Sequence, residues 1–202
     1  MNDFKDKGYV IIKEAITKEM ATMAYNYLLL KRQVYDTMMK NKWLSVTAEE
    51  WGQYNDRQVP DTYAIYADTL METMLMYVRP KMEKITELQL VETYSYARIY
   101  KKGDILKKHK DRPSCQVSTT LNLGGDKWPI FIEPDIEVNL NPGDMLVYKG
   151  ELLEHWRNEF DGQDCAQVFL HYNDINSEHK NENIYDYRPH IGLPAWFKKY
   201  AK

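Results

Sequence analysis

The residues with the clearest chemical potential are two histidines and a carboxylate: His109, Asp111 and His155. His109 and Asp111 stand two positions apart, so on an extended segment their side chains point to the same face. A second histidine from a distant segment would complete a 2-His-1-carboxylate triad, the ligand set that suits non-haem Fe(II) and leaves coordination positions open. His155 is the candidate, because it follows an Asn-Pro-Gly-Asp turn signal at 141–144 and an apolar run at 145–148. The sequence therefore predicts a metal centre.

Composition bounds the class of protein. The chain has 202 residues, of which 44% are hydrophobic, and this length favours one domain with one sizeable core. A net charge of −3 argues against a general polyanion binder, so no nucleic-acid partner is expected. There is no apolar run long enough for a membrane span, and the charged N-terminus is unlike a secretory signal. With only two cysteines, Cys115 and Cys165, a cytoplasmic setting without disulfides is expected.

Residues 1–89 are predicted to form a mainly helical support. Thr17 is a plausible N-cap for a first helix. Its apolar residues at spacings of three and four are expected to face the core: Met20, Met23, Tyr27, Leu30 and Val34. A second helix is predicted from apolar residues four apart: Tyr66, Leu70, Met74 and Val78. Pro80 should kink or restart it. Both helices are expected to pack on one face of the sheet that follows.

From residue 90 the hydrophobic period changes from 3.6 to 2, which is typical of strands. One face of the first strand should line a polar cavity, and it carries Glu92, Tyr94, Tyr96, Arg98 and Tyr100. Seven further strands are predicted at 105–111, 115–123, 130–133, 136–140, 145–149, 154–158 and 165–173. Eight short strands at close spacing indicate a sandwich or barrel. The aromatic tail, residues 174–202, is expected to wrap back on the domain.

The order of these features resembles the 2-oxoglutarate- and Fe(II)-dependent dioxygenases, most of all the prolyl-4-hydroxylase-like branch. The resemblance covers residues 91–173, and more loosely 8–12. It rests on Tyr100-Lys101-Lys102-Gly103, Leu106, the His109-x-Asp111 pair, Pro142-Gly143-Asp144 and His155. It implies a mainly β fold with flanking helices: a double-stranded β-helix, or jelly-roll, core at 90–173, with N-terminal helices packed on one sheet.

The same resemblance implies the cofactors and the reaction. Fe(II) would be held by the triad, 2-oxoglutarate would be decarboxylated to succinate and CO₂ with O₂, and an unactivated C–H bond would be hydroxylated. Ascorbate is an optional reductant. In related halogenases the carboxylate position is Gly or Ala, so Asp111 points to hydroxylation.

The far carboxylate of 2-oxoglutarate needs a buried anchor. Prolyl hydroxylases usually carry Arg or Lys about nine residues after the distal histidine, where this chain has Asp164-Cys165-Ala166. Arg157 is the leading substitute, because it stands two residues after His155 on the same strand face, and Arg98 is the second choice. A surface salt bridge of Arg157 with Glu154 or Glu159 is the alternative.

Three further residues complete the expected co-substrate pocket. Tyr100 matches the tyrosine of the family's Tyr-x-x-Gly pattern, and Thr120 falls where such enzymes often place a second hydroxyl. Gln167 could face inward from the last strand.

Hydroxylation of a prolyl residue in a peptide is the predicted activity, because aromatic side chains and a lysine-rich approach to His109 suggest a broad cleft. The same chemistry on a free amino acid or small metabolite is an alternative. So is a non-redox, cupin-like module that binds a metal or ligand.

Several polar residues keep two interpretations. His171 is either a satisfied core histidine or part of the cleft, and Arg112 either supports Asp111 or contacts substrate. His179 and His190 are expected to be exposed. The lysines that precede and follow His109 either protect an edge strand or attract an acidic substrate.

Overall fold

The computed structural model describes residues 3–45, 47–178 and 183–200. Ten strands of these described residues, labelled in chain order, form two antiparallel sheets. The larger sheet runs in the order β1 (Tyr9–Ile12), β8 (Met145–Tyr148), β5 (Val117–Gly125), β10 (Asp164–Asp174), β3 (Leu90–Lys101) and β2 (Tyr63–Tyr66). The smaller sheet runs in the order β4 (Leu106–His109), β9 (His155–Arg157), β6 (Ile130–Ile132) and β7 (Ile136–Val138).

The predicted jelly roll is confirmed. From β3 onward the chain changes sheet at nearly every connection, as between β3 and β4, β5 and β6, and β8 and β9. All eight strands predicted after residue 90 are present, with ends that differ by a few residues. The lysine-rich β4 lies at the edge of the smaller sheet, which agrees with the protective role of lysines on edge strands.

Three α-helices lie in the first part of the chain: α1 (Asp3–Lys7), α2 (Lys18–Lys40) and α3 (Thr69–Thr86). Thr17 caps α2 as predicted, because its side chain accepts a hydrogen bond from the backbone N–H of Met20. The predicted core stripe of α2 is only partly correct, since Met20 and Tyr27 pack against the core but are half-buried. Met23 and Leu30 are 56% and 60% exposed, and the fully buried residues of the helix are Ala21, Ala24 and Leu28.

Small side chains explain the rotation of α2. Ala21 and Ala24 let the helix backbone approach the sheet closely, and Tyr25 packs on the bare backbone of Gly124 in β5. A pattern based on hydrophobicity ranks methionine and leucine above alanine. It therefore predicts that the helix face beside the alanines is the buried one. The face of α2 that is buried is the one that lets the helix backbone approach the sheet most closely, not the one with the largest apolar side chains.

The second predicted helix begins too early. Tyr66 ends β2, and Asp68 caps α3 by accepting hydrogen bonds from the backbone N–H groups of Leu70 and Met71. The helix is continuous through Pro80, so the predicted restart is absent. Because β1 and β2 are both strands of the large sheet, the boundary expected at residue 90 does not separate helices from strands.

One residue on the cavity face of β3 was also misplaced. A β-bulge shifts the β3–β10 register, so that Tyr94 pairs with His171 whereas Glu92 pairs with Tyr172. Beyond the bulge the side chains change face. Glu92 therefore points to the helices, where it pairs with Arg79 of α3 at 2.9 Å. Only the tyrosines and arginine of the predicted set remain on the cavity side.

The described part of the C-terminal tail packs on the domain. Buried Asp186 accepts hydrogen bonds from Tyr66 and Arg112, and buried Arg188 pairs with Glu72 of α3 at 2.7 Å. His190 is exposed, as expected, and the prediction for His179 lies outside the described residues.

Cys115 and Cys165 are free and buried. Within the described ranges, no helix is both long enough and apolar enough to cross a membrane.

Candidate metal centre and adjoining pockets

The register between β4 and β9 brings the two distant histidines together. His109 and His155 are direct cross-strand partners, and their ring centroids lie 4.3 Å apart. Asp111 follows the end of β4 and is held by a hydrogen bond from its backbone N–H to the carbonyl of Gly150. Its Oδ1 lies 3.5 Å from Nε2 of His155 and 3.7 Å from Nε2 of His109. The structure thus gathers the predicted triad at one point.

Hydrogen bonds fix the orientation of both imidazoles. Nδ1–H of His109 donates to the carbonyl of Lys107 at 2.7 Å, and Nδ1–H of His155 donates to the carbonyl of Leu153 at 3.2 Å. With Nδ1 protonated, each Nε2 keeps a lone pair on the side of Asp111: that of His109 accepts from the Gln58 amide at 2.8 Å, and the Tyr148 hydroxyl lies 3.3 Å from that of His155. Burial and the neighbouring His155 lower the pKa of His109, which favours the neutral form that a metal requires.

The second carboxylate oxygen of Asp111 is bound within the protein. Ser118 Oγ donates to Oδ2 at 2.6 Å, and Nδ1 of His171 lies 3.0 Å from the same hydroxyl. Burial works to raise the pKa of Asp111, but contacts with His155, His171 and Ser118 outweigh it and hold the pKa well below its ordinary value. Asp111 is therefore ionised, with Oδ1 left free of the serine.

The donor set fits an octahedral metal that keeps open positions. Neighbouring donors around a metal with bonds of about 2.1 Å are separated by roughly 3 Å, slightly less than the observed separations. Two neutral imidazoles and one carboxylate form the facial set typical of non-haem Fe(II). These three residues could hold such an ion with small side-chain adjustments.

Arg157 lies on the same strand as His155 but deeper in the jelly roll. Its side chain is 1% exposed, and Trp128 contributes both a carbonyl acceptor and an aromatic face to it. Nη2 donates to Thr120 Oγ1 at 3.3 Å, while Nε has no hydrogen-bond partner among the described residues. Burial lowers the pKa of Arg157, although arginine remains charged in proteins.

No carboxylate of the described residues pairs with Arg157, so the surface salt bridge considered from the sequence is wrong. Glu154 instead lies 3.3 Å from Lys108. A buried cation without an anionic partner is costly. Arg157 is therefore a candidate site for an anionic ligand.

The other predicted pocket residues divide into two groups. Thr120 donates to Gln167 Oε1 at 3.0 Å, and buried Tyr100 packs edge-on against Trp128, so all three lie in the polar surroundings of Arg157. Arg98 touches this group only at Tyr100, whose hydroxyl accepts a hydrogen bond from it at 3.3 Å. Its other partners differ, since it donates to Gln58 at 2.7 Å and forms an ion pair with Asp56.

Sequence reasoning missed Tyr148, which lies between the triad and Arg157. Its hydroxyl is 3.3 Å from Nε2 of His155, and its ring packs on the same imidazole. Tyr148 lies in an apolar strand pattern, so its hydroxyl is the only feature of the sequence that could indicate a role in the site.

An open cleft of about 460 Å³ leads to the triad. Its lining comes from β3, β10 and a loop at 52–62, and includes Tyr94, Tyr96, Arg98, Phe169, His171, Asn55, Asp56 and Gln58. The loop residues were missed because irregular segments carry no periodic signal. His171 fulfils both of its interpretations, since it is hydrogen-bonded and lines the cleft. Arg112 stacks on Tyr94 and pairs with Asp186 at 2.8 Å.

Comparison with known proteins gives a likeness in fold. No protein-family model matches the sequence, and no curated protein sequence matches it. Among solved structures, a Pseudomonas putida prolyl-4-hydroxylase is similar at 14% identity, with 85% of this chain and 95% of that chain covered and a TM-score of 0.60.

Two further solved structures are similar in fold. SnoN, a non-haem α-ketoglutarate-dependent epimerase from nogalamycin biosynthesis, is 10% identical over 85% of this chain and 79% of that one, with a TM-score of 0.62. HygX from Streptomyces hygroscopicus, with nickel and 2-oxoglutarate bound, is 11% identical over 86% and 85%, with a TM-score of 0.57. The fold is that of the 2-oxoglutarate/Fe(II) oxygenases.

Proposed function

We propose that this protein is an Fe(II)- and 2-oxoglutarate-dependent hydroxylase. One observation carries the proposal: His155 of the gathered triad shares strand β9 with the buried Arg157, which pairs with no carboxylate of the described residues. Residues two apart on a strand are separated by about 6.7 Å and point the same way. A five-carbon 2-oxo diacid can bridge that gap, with one end at the metal and the other at the guanidinium.

The residues have distinct tasks in this proposal. His109, Asp111 and His155 would hold Fe(II), and Arg157 with Thr120 would bind the far carboxylate of 2-oxoglutarate. When bound, the iron and the 2-oxo acid supply the oxidative step that inserts one oxygen atom of O₂ into a C–H bond. Tyr100, Tyr148 and Trp128 surround the path between the two sites, so they exclude water and strengthen the charge interaction at Arg157.

Asp111 and its partners favour hydroxylation as the outcome. The carboxylate is present and ionised, so it occupies the ligand position that halogenases leave to chloride. Gln167 accepts the hydrogen bond of the Thr120 hydroxyl and thereby turns the lone pairs of Thr120 Oγ1 toward Arg157, which donates to them. Arg98 is not proposed as the anchor, because Asp56 already neutralises it.

For the substrate, aromatic walls support a compact ring or side chain. Tyr94, Tyr96 and Phe169 line the cleft in front of the triad, and they suit the predicted prolyl ring, whether in a peptide or as a free amino acid. The two free, buried cysteines fit a reducing compartment, so we keep the cytoplasm as the proposed location.

An anaerobic absorption spectrum tests the reaction class. Fe(II) and 2-oxoglutarate added together should give a weak charge-transfer band in the visible that neither gives alone. A cupin-like binding module or a zinc site would show no such band. Loss of the band in Asp111→Ala, with unchanged circular dichroism, would assign it to the triad.

A further inference from the structure

The strongest unassigned feature of the cleft is a buried ion pair. Arg98 of β3 and Asp56 of the 52–62 loop form it, with side chains 4% and 14% exposed, and both line the cleft. Tyr96 and the backbone N–H of Gln58 also donate to Asp56. Although burial works to raise the pKa of Asp56, Arg98 and these hydrogen bonds lower it. Both members of the pair are therefore charged.

The pair lies within reach of the triad. Arg98 Nη2 is 2.7 Å from Gln58 Oε1, and Gln58 Nε2 is 2.8 Å from Nε2 of His109. A single side-chain amide thus spans the distance between the guanidinium and the candidate metal ligand. A ligand group held at Arg98 would place carbon atoms a few bonds away close to the metal position.

The charge of the pair limits what it can bind. Arg98 and Asp56 together are neutral but charge-separated. A ligand with only one charge would satisfy one member while weakening the contact of the other, and an unpaired buried charge is costly. A ligand with adjacent opposite charges can satisfy both at once, because its carboxylate meets the guanidinium and its ammonium meets the carboxylate.

We propose that the Arg98–Asp56 pair recognises a free α-amino acid as the substrate, with its carboxylate on Arg98 and its amino group on Asp56. This rests on the proposed hydroxylase function and deepens it. The side chain of the amino acid would lie between the aromatic walls Tyr94, Tyr96 and Phe169 and point to the triad. A residue inside a peptide offers neutral amides at both positions, so it would leave the pair without its matching charges.

Matched ligands test the proposal. The protein, loaded with Zn(II) and 2-oxoglutarate, is screened by saturation-transfer NMR against the twenty free amino acids, their carboxamides, their N-acetyl derivatives, their doubly blocked N-acetyl carboxamides and short Pro-containing peptides. The Fe(II) enzyme is assayed in parallel for succinate and for hydroxylated product. We expect one or a few free amino acids to bind and to gain one oxygen, and their doubly blocked forms to bind at least tenfold more weakly.

Variants assign each charge. In Arg98→Gln the preference for the free acid over its carboxamide should disappear, and in Asp56→Asn the preference for the free amine over its N-acetyl form should disappear. Arg79→Gln is the control, since Arg79 pairs with Glu92 at 2.9 Å on the other face of β3; both preferences should persist. If either cleft variant fails to fold, the comparison of free and blocked ligands on the wild type decides alone.

Two results would overturn the inference. The first is that peptides or doubly blocked amino acids bind as tightly as the free forms. The second is that none of the twenty free amino acids binds. If either result is found and the wild-type protein still shows the Fe(II)–2-oxoglutarate absorption band, the hydroxylase proposal stands and only the proposed substrate is wrong. If the band is missing, the hydroxylase proposal itself fails.

Discussion

Ser118 Oγ lies 2.6 Å from Oδ2 of Asp111, while both triad histidines approach Oδ1. The hydroxyl thus binds one carboxylate oxygen and leaves the other for a metal. His171 fixes the hydroxyl in turn, because its Nδ1–H donates to Ser118 and the serine proton is directed to Asp111. The hydrogen bonds from His171 to Ser118 and from Ser118 to Asp111 set the rotation of the Asp111 carboxylate before a metal ion binds.

Ser118→Ala should weaken metal binding by about 10- to 100-fold, the usual effect of losing a hydrogen bond behind a metal ligand. Competitive titration with Mn(II) or Fe(II) would measure it, together with thermal unfolding of the metal-free protein. Thr22→Ala removes an exposed hydroxyl from α2 and is the control. An unchanged metal affinity alongside lower stability would assign Ser118 a structural role only.

Asp111→Ala should abolish iron-dependent succinate production and leave the fold intact, because a jelly roll with a packed core does not require a catalytic metal. Circular dichroism and a succinate assay check both parts. Asp135→Ala removes an exposed carboxylate and should behave as the wild type. Wild-type turnover in Asp111→Ala would remove this residue from the metal site.

Arg157→Met should raise the 2-oxoglutarate KM by one to two orders of magnitude, which corresponds to about 1.4–2.7 kcal/mol for a lost charge-assisted contact. The same change removes an uncompensated buried charge. We therefore expect the variant to be more stable than the wild type without ligand, by on the order of 1–3 kcal/mol.

Thermal shift separates these effects. Saturating 2-oxoglutarate with Zn(II) should raise the Tm of the wild type and of Arg98→Gln, but hardly that of Arg157→Met. If Arg98→Gln loses the shift instead, the anchor is Arg98. The sequence left these two arginines as alternatives, and only the partner of each distinguishes them: Asp56 neutralises Arg98, whereas no carboxylate in the described ranges pairs with Arg157.

The local half of the site could be predicted from sequence. His109 and Asp111 stand two positions apart on a segment that the sequence predicts to be extended, so these two ligands are expected together without any distant residue. In the structure β4 ends at His109, and the hydrogen bond from the backbone N–H of Asp111 to Gly150 holds the carboxylate beside it. His155 followed from the family resemblance and the turn before it. The contact between the two histidines depends on the β4–β9 register, which no residue in either three- or four-residue strand specifies by itself.

The remaining errors of the sequence-based prediction share one cause. Hydrophobic periodicity describes a single helix or strand and not the elements that pack against it. A bulge reverses the face of Glu92, close approach of alanines turns α2, and β2 is too short to show a period different from the helix after it. Asp56 and Gln58 lie in an irregular loop, and their contribution to the cleft is set by partners on β3 and β4.

His171 should make the protein sensitive to acid. Burial lowers its pKa to about 4, against about 6.5 in an unfolded chain. As the pH falls below about 6.5, the unfolded state binds a proton that the native state refuses, so the free energy of unfolding declines until the pH reaches about 4. A difference of this size amounts to about 3 kcal/mol over the full window.

Urea unfolding of the protein in EDTA between pH 7 and pH 4.5 would measure this loss. His171→Gln keeps a side-chain donor for Ser118 but cannot titrate. Between pH 7 and pH 4.5 its free energy of unfolding should therefore decrease by about 2–3 kcal/mol less than that of the wild type. His190→Gln, at an exposed position, should retain the wild-type slope. Equal pH slopes in the wild type and His171→Gln would mean that the buried imidazole takes up its proton without cost, and the hydrogen-bond chain to Asp111 would then need another explanation.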